Sequence, residues 1–347
     1  MKTPILWICA ALSLQAQAPL ATLVEHGHFK RARALAEQRY RATPNDPDVL
    51  WALSSVRQQF GALDEAIDFA EKLVALQPGQ SRAHVRLADA LGQKAESASL
   101  FQQLRLAPRF KKELNLAATL DPRNPEALEL QILFYREAPG LFGGDKNKAR
   151  EIADRLMGID AVRGYLAQLT LLSGNQPGER EGLLRNAAAA GPANYEALMA
   201  LGNFLDGAHR PAEAEPLARE ARRIAPDREP ANSLLAATLV QQQKWTDLDA
   251  ALTQAERDAS DDFMPFLRAG WECWRSSTEL PRAERYFHNY LSQEPEPRKP
   301  SLAAAHYLAG LVMKKQGRGS EAGAEFRLAL QLDPKSPAKE ELKRAGH

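Results

Sequence analysis

The sequence predicts an all-α protein, a superhelical solenoid built from repeated helix hairpins. Three stretches share one layout: "GHFKRARALAEQRYRATP" (27–44), "GALDEAIDFAEKLVALQP" (61–78) and "GRGSEAGAEFRLALQLDP" (317–334). Each begins with glycine, ends with proline 17 residues later, and carries small or apolar residues at helical spacing between them. Successive prolines recur at a period of 34 residues, as from Pro44 to Pro78 and from Pro192 to Pro226. Only 7% of the residues are aromatic, and the abundance of alanine and leucine favours helices over strands.

Small and aromatic residues recur at fixed positions of this repeat. The second helices carry a small residue near their start, at Ala66, Ala214, Ala283 and Ala322. In two units an aromatic residue follows four positions later, Phe287 after Ala283 and Phe326 after Ala322. The first helices carry their own small site at Ser54, Ala88, Gly202, Ala236, Gly270 and Gly310. This pattern resembles the tetratricopeptide repeat, whose period is 34 residues. The resemblance implies an array of about nine hairpins over residues 19–336, closed by a charged capping helix over 337–347, with the first helices lining a groove.

Two units are longer than the period. The unit at 79–124 has ten extra residues within "KAESASLFQQLRLAPRF" (94–110), and we expect a lengthened first helix followed by an irregular turn near Pro108. The unit at 125–160 has five extra residues, and its "APGLFGG" is predicted to be the turn between two helices. This pair of insertions is similar to a subgroup of bacterial repeat proteins without established activity, and more distantly to the regulators of microtubule dynamics. Neither resemblance implies catalytic residues.

The glycine-rich loop at 138–147 invites comparison with a nucleotide-binding loop. Asp145 occupies the position of the second glycine of that motif, and Asn147 that of the metal-binding hydroxyl. A helix, rather than a strand, is predicted before the loop. We therefore predict no nucleotide site, and we interpret Asp145 as the N-cap of the following helix.

No catalytic or metal-binding constellation is apparent, so the chain is predicted to be non-enzymatic and to need no cofactor. His26 and His28 flank Gly27 without a third ligand nearby, and we interpret them as part of a solvated turn. Cys273 is interpreted as a structural cysteine, because nothing indicates a histidine partner. Lys plus Arg is 45 and Asp plus Glu is 44, and this balance argues against a nucleic-acid partner.

The N-terminus predicts an export signal over residues 1–18. A short basic start is followed by an apolar run (5–14) that is too short to be an integral membrane segment, and by the cleavage motif Ala16-Gln17-Ala18. Pro19 disfavours cleavage directly after Ala18, which leaves cleavage after Ala16 open. Lipidation at Cys9 and an uncleaved segment are the alternatives. We expect a periplasmic or secreted protein.

Counting from the start of each unit places ten aromatic or basic residues on or near the groove wall. They are Trp51, Arg82, Arg86, Tyr165, Trp271, Trp274, Arg275, Tyr307, Lys314 and Lys315. Arg82 and Arg86 match the basic pair with which a known variant of the fold grips a C-terminal carboxylate, but Ala52 stands where that clamp needs asparagine. The leading hypothesis is a scaffold that binds a protein or peptide partner. A small-ligand or glycan receptor using the same groove is the alternative, and for each tryptophan core packing is another.

Overall fold

The computed structural model describes residues 19–174 and 176–345. The signal-peptide prediction, with Cys9, lies outside the described residues. Within the described ranges the chain forms nineteen α-helices and no strand. The first five hairpins are α1 (Leu20–His26) with α2 (Phe29–Ala42), α3 (Pro47–Gln59) with α4 (Leu63–Leu76), α5 (Ser81–Glu96) with α6 (Leu100–Leu120), α7 (Pro125–Glu137) with α8 (Lys146–Met157), and α9 (Ala161–Leu171) with α10 (Pro177–Ala190). The remaining helices are α11 (Tyr195–Gly207) with α12 (Pro211–Ile224), α13 (Glu229–Gln241) with α14 (Trp245–Asp258), α15 (Met264–Ser276) with α16 (Leu280–Leu291), α17 (Leu302–Lys315) with α18 (Gly319–Leu332), and α19 (Ala338–Ala345).

The predicted all-α solenoid of nine hairpins with a C-terminal helix is confirmed. In six hairpins a proline lies two residues after the end of the second helix, where its restricted backbone stops the helix: Pro44, Pro78, Pro122, Pro192, Pro226 and Pro334. Glycine and alanine at the small sites let the two helices of a hairpin approach closely. A Cβ added at Gly310 would lie 2.5 Å from Cε1 of Phe326, and one added at Gly270 would lie 2.9 Å from Cε1 of Phe287.

The first helices lie on the inner side of the curved array. Successive first helices touch each other: α3 touches α5, α5 touches α7, α7 touches α9, α11 touches α13, α13 touches α15, and α15 touches α17. No pair of successive second helices makes comparable contact within the described part of the chain. The array therefore curves toward its first helices. The side chains of the first helices that point away from the second helices form a common concave wall, here called the inner wall.

The expected long first helix forms in the unit at 79–124, since α5 has 16 residues whereas α3 and α7 have 13 each. The expected irregular turn near Pro108 does not form, because most of the extra length lies in the second helix. α5 ends at Glu96, and a short turn leads to α6, whose 21 residues run through Pro108 without a break. Pro108 is exposed, so water can satisfy the carbonyl group that its missing N–H leaves free. Ser99 is the N-cap of α6, and its backbone N–H donates to Oε1 of Gln102 in the manner of a capping box.

The insertion at 138–145 is the predicted turn between two helices. After α7 the chain makes one 3-10 turn (Gly140–Phe142) and enters α8. Asp145 caps α8 as predicted, because its Oδ1 accepts the backbone N–H groups of Asn147 at 2.9 Å and Lys148 at 3.2 Å. Gly144 is needed for the tight fold of this turn, since an added Cβ would lie 1.7 Å from the carbonyl oxygen of Ala138.

The superhelix closes on its own first hairpin, and the interpretation of His26 and His28 as a solvated turn is wrong. His28 is 2% exposed, and its Nδ1 lies 3.0 Å from Oδ2 of Asp261. Nδ1 of His26 lies 2.8 Å from Oδ1 of Asp227. These pairs join residues more than 200 positions apart. One superhelical turn brings the first hairpin against the loops that follow α12 and α14.

Further contacts extend this closure to the loop that follows α16. The backbone N–H of Lys30 donates to Oε2 of Glu296 at 3.1 Å, which places a carboxylate at the start of α2, where the helix dipole favours it. The Lys30 ammonium reaches the carbonyl oxygens of Asp261 and Glu294. Arg298 donates to the carbonyl oxygen of Gln58 at 3.3 Å. We refer to these contacts between residues 26–31 or 58 and the loops at 227, 261 and 294–298 as the closure.

Candidate partner-binding surface

Three of the ten groove residues predicted from the sequence come together on the inner wall. The guanidinium group of Arg82 stacks over the ring of Trp51 at 4.2 Å, and Arg86 lies one helical turn further along α5. With residues of α7 they line a cavity of about 380 Å³, here called the Trp51 pocket. Its other lining residues are Val85, Asp89, Glu126, Glu129, Leu130 and Leu133. The pocket combines a cation–aromatic stack with an acidic opposite side.

Arg86 lines this pocket with only 11% of its side chain exposed. Its Nη2 pairs with Oδ2 of Asp89 at 2.6 Å, and its Nη1 donates to Oγ of Ser55 at 3.2 Å. Burial lowers the pKa of Arg86, although the charge of Asp89 opposes this shift. Its Nε is buried without a partner in the described chain, so the guanidinium group retains one free donor.

A second aromatic cluster lies on α15 and α17, near the other end of the array. The rings of Trp271 and Trp274 pack at 4.9 Å with a tilt of 35°. The ammonium group of Lys315 lies 5.2 Å from the centre of the Trp274 ring and donates to the Trp274 carbonyl oxygen at 2.8 Å. Arg275 pairs with the buried Glu272 at 2.6 Å and is 41% exposed. We call Trp271, Trp274, Arg275 and Lys315 the tryptophan pair cluster.

The remaining three predicted groove residues make other contacts. Tyr307 packs against Phe326 of α18, with ring centres 5.9 Å apart. Lys314 pairs with Glu341 of α19, so it connects the last hairpin to the capping helix. Tyr165 packs on the core formed by α9, α10 and α11. None of the three joins the two clusters described above.

Sequence reasoning missed a second pocket, which the two oversized hairpins build together. Phe110 and Ala107 of α6 face Leu133 and Phe134 of α7, and Phe142 of the 3-10 turn closes one side. The cavity has a volume of about 340 Å³ and is here called the insertion pocket. It shares Asp89, Leu130 and Leu133 with the Trp51 pocket, so the two are continuous. The signal that could have found it was the position of both insertions in adjacent units.

Large apolar side chains stand exposed on the same two insertions. Leu141 is 87% exposed, Phe101 is 72% exposed and Leu100 is 67% exposed.

Other residues that invited a functional interpretation are structural. Cys273 is fully buried, and burial raises the pKa of its thiol to about 12, so it remains protonated. Over residues 19–174 and 176–345, no group of three or more His, Cys, Asp or Glu side chains is arranged to hold a metal ion. No helix in the same ranges has both the length and the apolar character needed to cross a bilayer.

Buried titratable groups gather at the closure. Burial raises the pKa of Glu296 to about 7, and burial together with the charge of Glu229 raises that of Asp262 to about 6. Burial alone would lower the pKa of His28, but its hydrogen bond and charge interaction with Asp261 raise it above the usual value. Burial opposes the shift of Asp261, whose pKa is nevertheless lowered by the hydrogen bond from His28. The closure therefore binds protons more tightly than the open chain does between pH 5 and 8.

We expect thermal stability to fall as the pH rises from 5.5 to 8. The contribution of His28 to the free energy of unfolding is fully present below its ordinary pKa of 6.5. This contribution is lost as the pH rises through the higher pKa of His28 in the folded protein. The ionised form of Glu296 is penalised in the folded state above pH 4.5, so Glu296 acts in the same direction. The part of this penalty that develops between pH 5.5 and the folded pKa of about 7 is about 2 kcal/mol. Asp261 acts in the opposite sense only below pH 4, outside this window. Thermal unfolding followed by circular dichroism at both pH values tests this, and a higher melting temperature at pH 8 would contradict it. In Glu296→Gln, which keeps the shape but not the titration, the difference should shrink.

Comparison with known proteins agrees with the architecture. The tetratricopeptide repeat model matches residues 22–81, 172–229 and 276–337, more than half of the chain. The chain belongs to the tetratricopeptide repeat family. Proteins of this family are in general non-enzymatic scaffolds for protein–protein interaction. The first two matches flank residues 82–171, which contain both insertions. No curated protein matches the chain in sequence.

Several solved structures are similar to this chain. Yeast Tom70 shares 14% identity, with 94% of this chain and 86% of that chain covered at a TM-score of 0.47. A tetratricopeptide repeat protein from Parabacteroides merdae shares 14% identity over 75% of this chain and 99% of that chain, at a TM-score of 0.45. PilF of Pseudomonas aeruginosa shares 16% identity over 76% of this chain and 96% of that chain, at a TM-score of 0.39.

Proposed function

We propose that this protein is a non-enzymatic scaffold that binds a peptide or a partner protein along the inner wall of its superhelix. The observation that carries the proposal is the Trp51 pocket, where residues from three successive first helices meet around a stacked tryptophan and arginine. Tryptophan and arginine are the residue types that dominate binding hot spots. The tryptophan pair cluster offers a second contact of the same chemical kind.

The proposal places the protein in the cell envelope or outside the cell. Its support is the N-terminal pattern of basic start, apolar run and Ala-Gln-Ala motif over residues 1–18. Fractionation of the producing cells, with immunoblotting for tagged full-length protein, tests the location. Recovery in the cytoplasm would contradict it.

Affinity capture from an envelope fraction tests the binding surface. Trp51→Ala with Arg82→Ala, and separately Trp271→Ala with Trp274→Ala, are expected to reduce partner recovery at least tenfold. The reduction follows because hot-spot residues contribute about 2 kcal/mol or more each. Asp145→Ala, which removes only a helix cap, should leave recovery unchanged.

A matched control exists on a second helix. Trp245 of α14 also lies beneath an arginine, with the Arg282 guanidinium 5.6 Å from its ring centre, but it is not part of the inner wall. Trp245→Ala should therefore retain the partner. If Trp245→Ala or Asp145→Ala abolishes capture while both inner-wall pairs tolerate substitution, the inner wall is not the binding surface.

The alternative is a receptor for a small ligand or a glycan at the same wall. The tilted contact between Trp271 and Trp274 and the cavity of about 380 Å³ at Trp51 support it, since ligand pockets of this size are common. Titration with oligosaccharides or peptidoglycan fragments, monitored by tryptophan fluorescence, separates the two. A saturable change that Trp271→Ala removes, with no protein captured, would favour the receptor.

A further inference from the structure

We propose that the insertion pocket binds an anchor of the partner peptide: one bulky apolar side chain next to a lysine or arginine. This inference rests on the proposed function and specifies the chemistry of the partner. Both departures from the 34-residue period contribute to the pocket, through α6 on one side and the 138–142 turn on the other.

The size and the walls of the pocket select a single apolar group. Its volume of about 340 Å³ lies at the lower end of the range for ligand pockets, roughly 300–1,000 Å³, which is too small for a helix. Phe110, Phe134 and Phe142 provide three aromatic walls, and Leu130 and Leu133 provide aliphatic ones. Transfer of a large apolar side chain from water into such a site stabilises a complex, because apolar surface is removed from water.

The charges at the pocket select a basic neighbour for that side chain. Three carboxylates line the pocket, those of Asp89, Glu96 and Glu137, and no lysine, arginine or histidine lines it. Asp89 is already paired with Arg86, and Glu137 is paired with Arg136 at 2.7 Å. Glu96 lies exposed at the rim with no ion-pair partner in the described chain. A cation next to the anchor would pair with Glu96.

Unpartnered polar atoms favour a peptide over a small apolar amine. Oε1 of Gln58 and Oε1 of Gln93 are buried acceptors without a donor in the described chain, and both residues line the insertion pocket. Nε of Arg86, in the adjoining Trp51 pocket, is a buried donor without an acceptor. A buried polar group without a partner is unfavourable until it is satisfied. A peptide backbone carries both N–H and C=O groups and can satisfy donors and acceptors together, whereas an amine brings donors alone.

The two pockets form one continuous site. Asp89, Leu130 and Leu133 line both, so a peptide whose anchor occupies the insertion pocket continues directly past Arg86 toward Trp51. Nε2 of Gln58 donates to Asp89 at 3.1 Å, which holds the Gln58 amide at the junction.

The test is affinity selection on immobilised full-length protein. The probe is a library of acetylated, amidated octapeptides randomised at six positions, with the bound peptides identified by mass spectrometry. We expect enrichment of a large apolar residue next to lysine or arginine. The tightest selected peptide, labelled with fluorescein, is then titrated by fluorescence anisotropy against the variants.

Ala107→Trp fills the pocket and should weaken binding at least tenfold, whereas Ala118→Trp, on the same helix but lining neither pocket, should not. Glu96→Lys is exposed and leaves the apolar walls intact, so it reports on the charge even if Ala107→Trp does not fold. It should abolish the preference for basic residues.

The outcomes separate this inference from the proposed function. Selected peptides that are insensitive to Ala107→Trp but lost in Trp51→Ala would overturn the pocket assignment and leave the scaffold function standing. Enrichment without a basic residue, or no effect of Glu96→Lys, would overturn the charge assignment. Dimerisation that Ala107→Trp abolishes would make a second copy of this chain the occupant and overturn the proposal. Failure to enrich any peptide would overturn both the inference and the peptide-binding function.

Discussion

Replacing His28 and Lys30 together by alanine is expected to open the superhelix. His28 is buried against Asp261, and Lys30 reaches two carbonyl oxygens of the facing loops. Removing one member of a buried charged pair leaves the other uncompensated, which typically costs about 3–5 kcal/mol. Because the closure joins residues far apart in the chain, this loss should separate the two ends of the turn rather than unfold either hairpin.

Small-angle X-ray scattering measures the result, and the radius of gyration should increase by several ångströms. His84→Ala is the matched control. His84 also forms a buried pair, with Glu113 at 2.6 Å, but both residues lie within one hairpin, on α5 and α6. This variant should lose stability without changing the scattering curve. Identical scattering from the wild type and the double variant would show that the closure does not hold the superhelix together.

The effect of Gly310→Ala on the free energy of unfolding is expected to change sign according to whether Phe326 is present. In the wild type the new methyl group meets the ring of Phe326 at 2.5 Å, and such overpacking costs about 1–3 kcal/mol. Phe326→Ala by itself should cost about 3–5 kcal/mol, since the side chain is only 2% exposed. In the Phe326→Ala background the clash is gone. There Gly310→Ala should stabilise the protein by about 1 kcal/mol through helix propensity.

A double-mutant cycle by urea unfolding measures the coupling between the two positions. Gly182→Ala is the control, because Gly182 lies inside α10 with nothing within 4 Å of an added Cβ. It should stabilise in either background. If Gly310→Ala changes the free energy of unfolding equally with and without Phe326, then the close approach of the Phe326 ring is not the reason that position 310 requires glycine.

The sequence predicted the hairpins well because they depend on local rules. Glycine, alanine and proline at fixed spacing specify where two helices meet and where the second one ends, as at Gly310 and Pro334. The Asp145 cap was also predictable, because its partners lie two and three residues away.

The errors involve contacts that no local pattern encodes. Pro108 was expected to break a helix, but its position on an exposed face lets α6 continue, and exposure follows from the packing of neighbouring helices. The burial of His28 depends on the summed rotation of successive hairpins, which brings Asp261 to it across 233 residues. The insertion pocket likewise forms only when both long units are folded side by side.

In the candidate site, Arg82 stacks on Trp51, two residues that the repeat position had assigned to the groove wall, and their role in binding stays a prediction. Tyr307 instead packs against Phe326 within its own hairpin, and Lys314 pairs with Glu341 of the capping helix. In the last hairpin of a solenoid, a first-helix side chain that would face the groove elsewhere can contact the capping helix instead, as Lys314 does. The position of a residue within the repeat is the same in both cases, so it does not predict which contact forms.

Site-specific photo-crosslinking in the native cell tests the binding surface most directly. A benzoylphenylalanine residue is placed at Arg82 or Arg275 on the inner wall, and at Arg223, an exposed position of the second helix α12. We expect the same partner to be crosslinked from both inner positions and not from Arg223. Crosslinks from Arg223 alone, or equally from all three positions, would contradict binding along the inner wall.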